Sequence, residues 1–130
     1  MGYESRIYVI NKMDIPAGLD GKFKYADRMA IYEMCKFPPF QELFGGNCPV
    51  TEYAPYDPGD GDHPVTEDKY GDPLMERSIT EVIDCLDQYI SLKNKNSKIY
   101  ARVKPLRAML QEFEKIQDNY YRLAVLHYGY

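Results

Sequence analysis

The sequence has no tryptophan, only two histidines (His63, His127) and three scattered cysteines (Cys35, Cys48, Cys85). With no CxxC pair and so few imidazoles, the ligands of a structural zinc site are not there, and no metal or other cofactor is expected. An odd number of distant cysteines predicts reduced thiols acting as small apolar residues, not a disulfide framework. No apolar run approaches the roughly 18 residues that would suggest a membrane span. The first residues lead into a short apolar strand instead of the apolar core of a signal peptide, so a cytoplasmic protein is expected. Arg6 stands where an N-myristoylation motif requires Ser or Thr. Walker A, GxGxxG, HExxH and GxSxG motifs are all missing.

What is present is an ordinary globular composition. Hydrophobic residues make up 45% of the 130 and charged residues 28%, enough for a single compact domain with its own core. Thirteen tyrosines are the excess. Tyrosine carries a large apolar body with a polar tip, so half-buried positions on a sheet are the expected place for most of them.

The charges are sorted along the chain. From Phe37 to Asp72 eight carboxylates face one lysine, whereas Lys93 to Arg107 holds six bases and no acid. The formal net charge of −4 therefore hides a strongly negative middle between two slightly positive ends. Such asymmetry bears on partners more than on fold.

Arg6–Lys12 reads as a strand, and its unbroken apolar centre Ile7–Ile10 predicts a position inside a sheet. Residues 25–37 fit either a helix or a strand; a strand through Met29–Cys35 is preferred. Pro38-Pro39 predicts a short helical turn over Phe40–Phe44, stopped by Gly45-Gly46. A strand begins near Val50–Tyr53, the stretch 57–62 is loop, and residues 65–76 form a hairpin turning near Lys69–Asp72 on Gly71. Ser78 with Glu81 is a capping box opening a helix along Ile79, Val82, Ile83, Leu86 and Ile90. A second helix carries Val103, Leu106, Leu110 and Phe113. Pro105 places its start at Val103 or Lys104, because proline is tolerated in a first turn. Leu123–Tyr128 is a strand apolar enough to lie beside the first. The expected fold is α+β: a mostly antiparallel sheet of four to five strands covered on one face by two amphipathic helices.

No constellation names a reaction. Asp57, Asp60 and Asp62, with Glu67 and Asp68, miss the EF-hand ligand spacing and read as a solvated loop. His127 reads as a packed or edge residue, and nothing local pairs a cysteine with a histidine as a nucleophile. Lys93, Lys95, Lys98, Arg102, Lys104 and Arg107 surround Tyr100, an arrangement that can hold phosphates while an aromatic ring stacks on a base. The two helices are too far apart for a helix-turn-helix, whose turn spans about three or four residues. The acidic middle has Tyr53, Tyr56 and Tyr70 interleaved with Asp57, Asp60, Asp62, Glu67, Asp68 and Asp72. A surface of carboxylates imitates a row of phosphates, and tyrosines add contact area, so these nine residues are the expected partner-binding surface.

The start Gly2-Tyr-Glu-Ser-Arg-Ile-Tyr8, the hairpin Glu67–Leu74, Val103-Lys-Pro-Leu106 and the ending His127-Tyr-Gly-Tyr130 together resemble a group of small phage and prophage proteins of Gram-positive bacteria. That resemblance implies a bacterial host cytoplasm and a role in the contest between phage and host. It implies no catalytic residue. The function expected is therefore a non-enzymatic protein that binds a host protein, in its sharpest form an inhibitor of a host-defence or nucleic-acid enzyme. The alternative is a nucleic-acid-associated accessory module using residues 93–107. The opposed charge blocks also allow a homodimer.

Overall fold

The computed structural model describes residues 4–13, 23–57, 63–92, 98–118 and 121–130. Their elements run β1 (Ser5–Asn11), β2 (Lys24–Met34), α1 (Pro38–Leu43), β3 (Tyr53–Asp57), β4 (His63–Pro64), β5 (Met75–Arg77), α2 (Ile79–Leu92), α3 (Lys98–Ile116) and β6 (Leu123–Gly129). This is an α+β fold whose six-stranded sheet has the order β4-β3-β2-β1-β6-β5. Neighbours are antiparallel except β2 and β3, which are parallel. The sheet is therefore larger than the expected four to five strands, and mixed. The second arm of the expected hairpin ends in β5, whereas β4 spans only two residues, too few for periodicity to register.

β1 is flanked by β2 and β6 along its whole length, so its run Ile7–Ile10 is completely buried between two covered faces. The chain entering β3 also reaches the far edge of the sheet. Val50 bridges Met75, and the Thr51 amide donates to the Leu74 carbonyl. A bulge where the register slips between Val9 and Ile10 adds local bending. The sheet thus curls, and its concave face encloses a core of Tyr8, Ile10, Tyr53, Leu74 and Leu126.

The convex face carries the helices and the larger core. Ile7, Val9 and Val125 from the sheet meet Leu86 of α2 and Leu106 and Leu110 of α3. The capping box forms: the Glu81 amide donates to Ser78 Oγ at 3.1 Å, and the Ser78 amide donates to the Glu81 carboxylate at 3.2 Å. Helix α3 departs from its expected start, because it runs through Pro105. Proline removes the amide that would reach Ala101, but Ala101 and Pro105 both face solvent, so the freed carbonyl is not stranded in the core. The turn before it is fastened to β2 by Tyr32, whose hydroxyl donates to the Arg102 carbonyl, and by Arg102, which donates to the Glu33 carbonyl. A third helix, α1, lies beside α2 over the β6 end of the sheet. No helix of the described residues is long and apolar enough to cross a membrane.

Candidate functional site: an acidic cleft beside helix α1

The site begins with a double proline. Pro38 and Pro39 occupy the first turn of α1, where the missing amides have no helical partner to lose. Phe40 and Phe44 then fall on one side, their rings edge to face at 5.7 Å. Phe44 stacks on the His127 imidazole at 4.9 Å, which clips α1 onto β6. Past the end of the helix only glycine fits at position 45, because a β-carbon there would meet the Gln41 carbonyl oxygen at 2.5 Å.

The second wall is the hairpin preceding β5. Glu67 bridges Pro73, and the Asp68 amide donates to the Asp72 carbonyl. Asp68 Oδ1 accepts the amides of Tyr70 at 2.9 Å and Asp72 at 3.0 Å, which fixes the turn from inside. Gly71 takes a φ of +83°, a conformation costly for any residue with a β-carbon. The Lys69 amide donates to the Gly129 carbonyl, laying the turn along the end of β6.

Between these walls is a cleft of about 490 Å3. Phe40, Phe44, Met75 and His127 form its base, while Asp68, Asp72 and Gln41 supply the polar groups. His127 is 6% exposed. Burial pushes its pKa down to about 4, so the ring is neutral near pH 7. Among the described residues of the lining, the two aspartates are then the charged side chains. Two exposed apolar residues belong to the neighbouring segments: Tyr70 in the turn, and Val50, the bridge partner of the lining residue Met75. A concave base of aromatic and thioether groups under two carboxylates suits a cation on an apolar stem, as in an arginine or lysine side chain.

Of the acidic, tyrosine-bearing stretch read from the sequence, Glu67, Asp68, Tyr70 and Asp72 share this hairpin, and Asp68 and Asp72 line the cleft. Tyr53 and Tyr56 do not. Tyr53 is 8% exposed in the concave core, below the ammonium groups of Lys12 and Lys24. Tyr56 packs edge to face on Tyr25 at 5.4 Å. Asp57 closes β3 opposite His63, and Asp60 and Asp62 lie outside the described residues. Phe40, Phe44, Met75 and His127 line the cleft without having been singled out for it. Their apolar character announced only a core, and no local spacing links 40–50 to 75 and 127.

The basic block is dispersed. Lys93 and Lys95 lie outside the described residues, Arg107 pairs with Asp87, and Arg102 is engaged at Glu33. At about 100° per residue, Lys98 and Arg102 project from one side of α3 and Lys104 and Arg107 from nearly the other. Among the described residues, the acids of the hairpin and the bases of α3 form no ion pair with one another. α3 is tied to β2, α1 lies over β6, and α2 packs against both helices.

Other chemistry finds little support among the described residues. No three His, Cys, Asp or Glu side chains there are grouped to hold a metal. Burial pushes the Cys85 thiol up to about 11 and raises Cys48 as well, the reverse of an activated nucleophile. Ser5 does meet His127 at 2.7 Å, but its side chain is 1% exposed and closed to a substrate. Compared with protein-family models, with curated proteins and with solved structures, the chain matches none.

Proposed function

We propose that this chain is a non-enzymatic binding protein whose acidic hairpin and adjoining cleft receive a basic segment of another protein. One observation carries the reading: Asp68 and Asp72, held by a fixed turn, line a cleft whose base is apolar. Apolar contact supplies affinity there, and the carboxylates supply orientation and speed of encounter. Following the resemblance to phage and prophage proteins, the setting proposed is the cytoplasm of a bacterial host. The partner proposed is a host protein with a basic surface, a defence or nucleic-acid enzyme being the sharpest case. No matching observation favours nucleic acid as the ligand, since the described bases of α3 form no continuous stripe.

The test is capture from nuclease-treated bacterial lysate. Tagged protein should retain a specific host protein in a salt-sensitive manner, and the Asp68→Asn/Asp72→Asn pair should lose most of it. Asparagine keeps an oxygen for the turn amides at position 68, so the variant removes charge while leaving the hairpin. Undiminished retention by a folded variant sinks the acidic-cleft mechanism.

A further inference from the structure

We infer that the outer edge of β2 pairs with the same edge of a second copy of this chain, joining the two sheets antiparallel about a two-fold axis at Ile31. The cleft beside α1 lies across β1, against β6 and β5, and takes no part.

The edge follows from which way the main chain turns. The Glu4 and Tyr130 amides each donate to the other's carbonyl, and the Lys12 amide donates to the Arg122 carbonyl, so the even-numbered residues of β1 bond to β6. Ser5, Ile7 and Val9 therefore turn to β2, where their partners are Met34, Tyr32 and Ala30. That leaves the amides and carbonyls of Ile31 and Glu33 pointing away from β1. Arg102 accordingly reaches the Glu33 carbonyl from outside, at 3.1 Å. β3 covers this edge only from Lys24 to Ala26, after which the Arg28 side chain donates to the Tyr56 carbonyl. Among the described residues, nothing bonds to the Ile31 amide or carbonyl on the outer side.

Unpaired edges are ordinarily blunted by proline or lysine, or by bulges. The run Arg28-Met-Ala-Ile-Tyr-Glu33 has no proline, lysine or glycine, and its bulge, at Met29, lies toward one end. The charges of the run select a second copy over an unrelated strand, because they complement themselves. Antiparallel pairing centred on Ile31 sets Ile31 against Ile31 and Tyr32 against Ala30. Glu33 then falls opposite the bulge, beside Arg28 of the other copy. Both side chains stand on the concave face, since Glu33 is paired with Arg6 and Arg28 with Ile10, which share that face with Tyr8. The two-fold axis makes two such ion pairs. Glu33 already receives Arg6 and Tyr130, yet its side chain is 55% exposed and open to a second cation. Arg28 uses one N–H on Tyr56 and keeps the others. A slide of two residues in either direction loses both pairs.

The experiment is sedimentation velocity of the full chain over a wide range of concentration, with amide hydrogen exchange measured at both ends of it. A reversible dimer should form, and exchange at Ile31 should slow by about tenfold or more as it does. Ala30 and Tyr32, bonded to β1, should be protected at every concentration. Glu33→Arg should dissolve the dimer, and Arg28→Glu/Glu33→Arg should restore it, a rescue that a merely weakened fold would not give. A chain that stays monomeric throughout overturns the inference. So does a dimer in which Ile31 still exchanges fast, because its contact then lies elsewhere. Protection of Ile31 in the dilute monomer would mean the chain covers its own edge. Protection won only by adding an unrelated extended peptide would assign the edge to a foreign strand. Either result overturns pairing with a second copy.

Discussion

Ser5 and His127 are joined by a buried hydrogen bond, Oγ to Nε2 at 2.7 Å, across the neighbouring strands β1 and β6. The bond sits under the cleft, with the Phe44 ring stacked on the imidazole and Asp68 and Asp72 on the opposite wall. It couples the floor of the proposed binding site to the centre of the sheet.

Burial of the His127 imidazole makes stability depend on pH in a defined direction. His127 takes up its proton near pH 4 in the folded protein and near pH 6.5 in the unfolded chain. Between those values the unfolded state binds more protons, so stability rises with pH through the window and is lost as pH falls from about 6.5 toward 4. The loss is on the order of 3 kcal/mol at most. Urea unfolding across that range should show it, and His127→Gln should flatten that part of the profile. An unchanged profile would mean the ring titrates freely in the fold.

Helix α3 offers a second test. Pro105 lies inside it, so Pro105→Ala should restore a backbone hydrogen bond and stabilise the protein by about 1–3 kcal/mol. If the helix began instead at Val103 or Lys104, the same change would be neutral or slightly harmful. Thermal and urea unfolding distinguish the two.

The convex core gives a third. Leu86 and Leu110 are fully buried between helices and sheet, and either change to alanine should cost about 2–5 kcal/mol. Ser78→Ala removes a cap from an exposed helix end and should cost about 1 kcal/mol. A reversed order of these effects in urea unfolding would contradict the packing described.

These elements also show how much the sequence could disclose. The stripes of α2 and α3, the capping box at Ser78, the buried run of β1, the strand at β6 and the glycine turn at Gly71 are local patterns, and each is where the pattern points. The parallel pairing of β2 with β3 and the bridge from Val50 to Met75 are not local, and they decide how the sheet curls. The candidate site divides the same way. Asp68, Tyr70 and Asp72 are neighbours in sequence and were visible as an acidic turn. The cleft under them needs Phe44, Met75 and His127, which only the folded chain brings together. Tyr53 shows the converse: beside acids in sequence it looked like surface, and its strand position turns it into the core.

The claim that the cleft accepts a basic side chain is tested most directly by amide chemical shifts as a short single-arginine peptide is added to the full chain. Saturable shifts are expected at Gln41, Gly45, Gly71 and His127, which line the cleft or form its turn, and they should vanish in Asp68→Asn/Asp72→Asn. Shifts centred on α3, or shifts at the cleft that survive removal of both carboxylates, would contradict it.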